Sequence, residues 1–135
     1  MTSQPVSRSR MDDSFRLGGL TLRSRWVVAP LTTYSSLPDG TVSPDELPYL
    51  ERRSAAGYGL VISAACYVHP SGHAFDGQWG CEHDGRIPSL ASAADAIHRG
   101  GALAALQIHH GGRQCPSRHV GTPWSASAIP AERPN

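Results

Sequence analysis

Three short strings concentrate the side chains that could do chemistry. They are Ala29-Pro30-Leu31-Thr32-Thr33-Tyr34, Ala65-Cys66-Tyr67 and Gln107-Ile108-His109-His110-Gly111-Gly112-Arg113. In the first, Pro30 ends strand pairing and leaves neighbouring backbone groups able to meet a ligand. Thr32 offers a hydroxyl that can donate to a heteroaromatic acceptor, and Tyr34 a phenol that can bond a substrate oxygen. A strand-to-loop turn with ordinary hydroxyl caps accounts for the same residues. In the second, small Ala64 and Ala65 either leave room for a flat ligand or pack closely against a helix. In the third, Gln107 presents a donor and an acceptor side by side, matching a ring edge with alternating C=O and N–H. Arg113, after two glycines, can receive an anion or pair with a loop carboxylate.

Other chemistries are excluded by residue type or spacing. His109 and His110 are adjacent, so on extended chain they point to opposite sides and are poorly placed to chelate one metal. Cys66, Cys81 and Cys115 lack the short C-x-x-C spacing of a zinc site, and no metal is expected. Cys66, at a strand end, reads as a small buried hydrophobe and not as a nucleophile. All 12 basic residues are arginine. A Walker lysine, a Schiff-base lysine and a lysine general base are therefore ruled out.

The elements that must position these strings follow from the hydrophobic pattern. Residues 1–14 are polar and aperiodic and are expected to be a disordered leader. Phe15 to Leu22 alternates around Gly18-Gly19, predicting a small hairpin. Trp26-Val27-Val28-Ala29, stopped by Pro30, predicts a buried strand. Ser43-Pro44-Asp45-Glu46 announces a helix: Ser43 as N-cap, Pro44 at the first position and Glu46 completing a capping box. Leu47, Leu50, Ser54 and Gly57 give it one narrow packing face, and Pro48 delays its regular part. Leu60 to Cys66 is a continuous apolar run, as in a strand covered on both faces. Val68 to Arg86 reads as a long loop. Pro88 opens a second helix with Leu90, Ala93, Ala94 and Ile97 on one face and Gly100-Gly101 at its end. Ala102 to Ile108 is a third strand, and His109 to Asn135 shows no convincing element.

Strand, helix, strand, helix, strand predicts parallel strands joined by right-handed crossovers. Strand starts near residues 26, 60 and 102 are 34 and 42 residues apart. A (β/α)8 barrel needs about 31 residues per unit, so the spacing suits one with a lengthened loop. No G-x-G-x-x-G follows the first strand, which weakens a dinucleotide-binding sheet. The fold class expected is α/β: the N-terminal three β/α units of a TIM barrel, incomplete in this chain. In parallel folds ligands gather at the carboxyl ends of strands, where all three chemical strings lie.

At 135 residues the chain allows at most one domain, and glycine (14) with proline (11) promises many turns. Twelve basic and 11 acidic residues leave a net charge of +1, which argues against a nucleic-acid partner or an electrostatic membrane anchor. The run Leu60 to Cys66 is too short to span a bilayer. The N-terminus has no apolar segment of a secretory signal. Three widely spaced cysteines read as free thiols of a reducing compartment, so a cytoplasmic location is expected.

The strings also carry a resemblance. R-W-V-V-A-P-L-T-T-Y-S-S followed by P-D-G-T-V-S, then G-Y-G-L-V-I-S-A-A-C-Y-V-H-P-S-G, A-L-Q-I-H-H-G-G-R-Q and P-W-S-A-S-A-I-P are collinear. Together they resemble the old yellow enzyme family of NADH:flavin oxidoreductases, from about Phe15 to the last residue. The resemblance implies that residues 15–135 are the N-terminal portion of an FMN-binding (β/α)8 barrel domain. It implies that Ala29, Pro30, Leu31 and Thr32 wrap one edge of the isoalloxazine, with Thr32 near its O4 and N5. Ala65 looks like the small residue beside the ring, Gln107 like the side chain on its pyrimidine edge, and Tyr34 like an aromatic on the substrate side. His110 and Arg113 match the motif without an assigned role.

The reaction implied passes hydride from NADH or NADPH to FMN and from there to an electron-poor C=C of an enone-like small molecule. In the family a His–His or His–Asn pair after the fourth strand polarises the substrate, and late Gly/Arg loops hold the phosphate. The sequence ends at Asn135, ahead of both, and His109-His110 is not that pair. The 135-residue chain is therefore expected to be inactive by itself, and self-association or a complementing C-terminal chain are the partners this suggests. The alternative is a non-catalytic truncated remnant or interaction module. A small metal-binding protein, resting on three Cys and seven His, ranks third.

Overall fold

The computed structural model describes residues 10–132. The expected leader falls mostly on residues 1–9, outside the described residues. Residues 10–14 of it form a turn: the Met11 carbonyl accepts from the Arg25 N–H at 2.9 Å and Asp12 from the Trp26 indole at 3.1 Å. β1 (Phe15–Leu17) and β2 (Leu20–Leu22) form the expected antiparallel hairpin, with Leu17 opposite Leu20. Only Leu22 of this hairpin is fully buried.

The strand expected over 26–29 is shorter: β3 is Val27–Val28. Trp26 instead turns its ring outward, 47% exposed, to reach Asp12. β3 runs parallel to β4 (Leu60–Tyr67), which is the centre of the sheet. Leu60 pairs with Val27 on one side and with Leu103 of β6 (Leu103–His109) on the other. Cys66 pairs with Ile108 of β6 and, on the β3 side, with Trp79 of β5 (Trp79–Gly80). All these pairings are parallel, so three strand ends meet at one edge. β5 interrupts what the sequence read as one long loop from Val68 to Arg86. Two residues carry no periodicity, so pattern alone could not find it.

The helices cover one face. Ser43 caps a 3-10 turn, Pro44–Glu46, accepting from the Asp45 N–H at 3.2 Å, and α1 (Leu47–Ala55) continues from it. Pro48 sits in the first turn of α1, where a missing N–H costs nothing. The expected capping box does not form. Glu46, 4% exposed, turns inward and accepts from the Trp79 indole at 3.1 Å and the Thr33 hydroxyl at 2.8 Å. A buried indole N–H and a buried carboxylate each need a partner, and that outweighs a local cap.

α2 (Ile87–Arg99) buries Ala93, Ala96 and Ile97. It meets α1 at Ser54, whose hydroxyl donates to the Ile97 carbonyl (2.5 Å) and accepts from the Ala102 N–H (2.9 Å). A Cβ on Gly100 would collide with the Ser54 side chain, so this contact requires glycine. Beyond β6, a four-residue α3 (Ser117–Val120) lies where no element was expected.

β4 carries one extra residue. Ile62 pairs with Ala105 but Ala65 with Gln107, and at the irregularity the Ser63 hydroxyl accepts from the Gln107 N–H at 3.0 Å. The bulge reverses the phase of the strand: Val61 before it and Ala64 and Cys66 after it all belong to the helix-facing core. Ala65 thereby faces the other way. On β6, Leu106 and Ile108 are 45% and 70% exposed, along the side of the sheet opposite β3. All three cysteines are free thiols. No helix among the described residues is long and apolar enough to cross a membrane.

Candidate functional site

The expected site residues divide into two groups. Ala65 and Gln107 are register partners on β4 and β6, at the carboxyl edge of the sheet. Ala65 stays outside the helix-facing core cluster that Ala64 joins. Gln107 uses its backbone N–H on Ser63, and its side-chain amide has no partner among the described residues. Ala29, Pro30 and Leu31 follow directly on β3, beyond its last ladder pair Val28–Val61, and are exposed. The Thr32 hydroxyl likewise makes no bond among the described residues, whereas Thr33 is committed to Glu46. The result is a strip on three neighbouring strand ends that joins exposed residues 29–31 to half-buried Thr32 and Gln107, whose side chains are unpaired among the described residues, with Ala65 buried beside Gln107.

Tyr34 stands apart from that strip. It holds a left-handed backbone (φ +57°) and is 66% exposed. Gly77 (φ +71°) allows this, because a Cβ there would strike the Tyr34 backbone. The Tyr34 ring lies 5.2 Å from Phe75, whose ring is in turn 6.4 Å from His109. These three line a cleft of about 590 Å³ together with His110 and Arg118. None of Ala29, Pro30, Leu31, Thr32, Ala65 or Gln107 lines it.

The adjacent histidines line the same cleft but bond different partners. Gln78, almost fully buried, accepts the Ala74 N–H on Oε1 (2.8 Å), so its amide nitrogen donates to His109 Nδ1 (3.0 Å). The His109 proton is thereby placed on Nε2. Burial, and secondarily His110, push its pKa below the ordinary histidine value. His110 accepts from the Gly112 N–H at Nδ1 (3.0 Å) and so donates from Nε2 to Ser71 Oγ (3.1 Å). Among the described residues no group of three His, Cys, Asp or Glu could hold a metal ion.

A charged cluster braces the far side of the edge. Arg86 bonds Glu82 at 2.9 Å and Asp39 at 3.0 Å, and the Tyr67 hydroxyl donates to the Asp39 carbonyl at 3.2 Å. Burial alone would raise the Glu82 carboxyl, but its bonds to Arg86 hold it below the usual range. Burial raises the Cys66 thiol, and the neighbouring Cys81 adds to that, so Cys66 is inert. Arg113 has no carboxylate partner among the described residues; it lines a separate cavity with Ser125 and Ser127. Sequence reasoning did not single out Phe75, Gln78 or Arg118. Phe75 and Arg118 reach the cleft from an aperiodic loop and a one-turn helix, and Gln78 acts on it through His109, so no local pattern marked any of the three.

Residues 13–134 match the model of a family described as NADH:flavin oxidoreductase / NADH oxidase. The chain is 48% identical over 102 residues to the probable NADH-dependent flavin oxidoreductase YqiG of Bacillus subtilis, covering 76% of this chain and 27% of that protein. It is 38% identical over 131 residues to the NADH:fumarate oxidoreductase of Klebsiella pneumoniae, covering 95% of this chain and 14% of that one. The chain thus spans about a quarter or less of the length of these relatives. Among solved structures, the old yellow enzyme homologue from Zymomonas mobilis superposes with a TM-score of 0.82 at 28% identity, covering 90% of this chain and 34% of the other. The parallel sheet and its helices are a partial (β/α)8 barrel.

Proposed function

The chain belongs to the NADH:flavin oxidoreductase / NADH oxidase family, and on that premise we propose that it contributes the flavin-ring side of an FMN-dependent oxidoreductase. The reaction proposed would transfer hydride from NADH or NADPH to the activated C=C of an enone-like acceptor, with FMN, if bound, supplying the redox chemistry. The observation that carries this reading is the pairing of Ala65 with Gln107 at the strand ends, with the Gln107 side-chain amide unbonded among the described residues.

The residues present fit an isoalloxazine. Ala65 offers a floor without a side chain beyond Cβ, and Gln107 a donor and acceptor for a ring edge of alternating C=O and N–H. Thr32 supplies a hydroxyl, and residues 29–31 supply backbone groups beyond the last ladder pair. When bound, FMN supplies the hydride relay between nicotinamide and acceptor. The chain's own residues orient the ring, tune it through the Thr32 and Gln107 bonds, and present the aromatic wall of Tyr34 and Phe75 to the substrate side. A fumarate oxidoreductase among the relatives supports an electron-poor alkene as acceptor.

A second reading, a non-catalytic interaction module, is favoured by Leu106 and Ile108, open on the outer side of β6. One experiment separates the two. Residues 13–134 replace the corresponding segment of the Bacillus subtilis relative, and the purified chimera is assayed for flavin absorbance and for NADH oxidation with cyclohexenone. Close to one FMN per chain with turnover supports the oxidoreductase; a folded, colourless chimera supports the module.

A further inference from the structure

The cleft beside the flavin strip holds a cation and a neutral donor that ring binding leaves unused. Its wall is apolar where Tyr34 and Phe75 meet, with ring centres 5.2 Å apart. His109 has its Nδ1 occupied by Gln78, which leaves the protonated Nε2 as the ring atom available to a ligand. His110 is already bonded at both nitrogens. Arg118 is the cation of this wall. Its one partner among the described residues is Asp76, at 3.4 Å, and that carboxylate is 81% exposed and shared with His119 Nε2, also at 3.4 Å. A long, solvent-exposed ion pair of this kind contributes little and exchanges easily. A ligand carboxylate whose hydrocarbon part lies on the Tyr34–Phe75 wall would compete for the guanidinium, which binds carboxylates in a planar two-point geometry.

We propose that this cleft recognises the carboxylate of an electron-poor alkene. Arg118 supplies the charge, the Nε2–H of His109 a neutral donor, and Tyr34 with Phe75 the surface for the conjugated carbons. The alkene part rests on the oxidoreductase reading above, whereas carboxylate binding to the cleft needs no flavin. Arg118 is here a carboxylate-anchoring residue; Gln78 is a positioning residue that fixes the His109 tautomer.

The test uses the 135-residue chain, labelled at arginine and histidine nitrogens, titrated in an NMR experiment with trans-cinnamate and with its neutral counterpart trans-cinnamamide. Cinnamate is expected to shift the Arg118 Nε–H and the His109 ring saturably, with an affinity about tenfold or more above that of the amide. Arg118→Gln, at an exposed position, removes the preference without unfolding the chain. Asp76→Asn, which removes the competing carboxylate, strengthens cinnamate binding several-fold. Equal binding of acid and amide, a preference that survives Arg118→Gln, or no saturable shift with cinnamate overturns the assignment. If the chimera described above reduces cyclohexenone but shows no preference for cinnamate, this inference fails and the oxidoreductase reading stands. A cinnamate preference in a chimera that holds no flavin has the opposite meaning.

Discussion

Ala65 and Gln107 face each other across the β4–β6 ladder immediately beyond the one irregularity in it, where the Ser63 hydroxyl accepts the Gln107 N–H. The bulge decides which alanine joins the helix-facing core. With uninterrupted alternation Ala65 would share the face of Val61 and be covered by the helices; the extra residue sends Ala64 there instead. Ser63→Val is expected to leave the Gln107 N–H without its partner at the bulge. A loss of about 1–3 kcal/mol in urea denaturation is predicted, together with altered NMR shifts along both Ala65 and Gln107. Unchanged stability would show that water replaces the hydroxyl.

The Ser54 hydroxyl joins α1, α2 and the start of β6, with Gly100 packed against it. Ser54→Ala removes both buried bonds and is expected to cost about 1–3 kcal/mol. Gly100→Val forces the helices apart at an additional cost of the overpacking kind, about 1–3 kcal/mol. Urea midpoints of the two variants check this, and a Gly100→Val protein as stable as the parent would contradict the packing described.

Glu46 and Trp79 form another buried polar contact, at 3.1 Å. Glu46→Gln keeps an acceptor for the indole and is expected to be tolerated better than Glu46→Ala, which strands the Trp79 N–H and the Thr33 hydroxyl. The difference between the two variants should be at least about 1 kcal/mol. Equal destabilisation would mean that the negative charge, and not the acceptor, matters.

His73 and His109 both have pKa values below the ordinary one, chiefly through burial. Between the lowered values and about 6.5 the unfolded chain binds more protons than the folded one. Stability therefore holds above that window and falls as pH drops through it. Urea midpoints at pH 7.5 and pH 5 should show the loss, still above the range where Asp39 and Glu82, both lowered carboxyls, begin to protonate. His73 packs in tilted contact between the rings of Tyr67 (4.8 Å) and His119 (4.4 Å), so His73→Phe keeps the packing and should shrink the loss. A chain more stable at pH 5 than at pH 7.5 would contradict this.

Elements stabilised by neighbours in sequence were legible in it. The hairpin around Gly18-Gly19, the apolar run of β4 and α2 with its Gly100-Gly101 stop each carry their own local signal. What depends on distant partners was not. Glu46 follows the capping-box pattern, yet its carboxylate is claimed by an indole 33 residues away. β5 is two residues long, and Ser63 looks like any strand serine until the ladder slips around it. The strand-end residues proposed for the flavin were picked out because parallel sheets present ligand contacts at one edge. The cleft was half legible: Tyr34 and His109 stood out by type and place, whereas Phe75 and Arg118 line it, and Gln78 bonds His109, only through tertiary folding.

The central claim is that Thr32 and Gln107 hold and tune the flavin ring. It is tested most directly by the FMN dissociation constant and the flavin midpoint potential of the chimera carrying residues 13–134, with Thr32→Ala and Gln107→Ala beside the parent. Each substitution removes one or two bonds worth about 0.5–1.5 kcal/mol. Roughly two- to tenfold weaker FMN binding per lost bond and a shifted potential are expected, with the circular dichroism spectrum unchanged. Variants with the parent's affinity and the parent's potential would place the ring elsewhere and contradict the account.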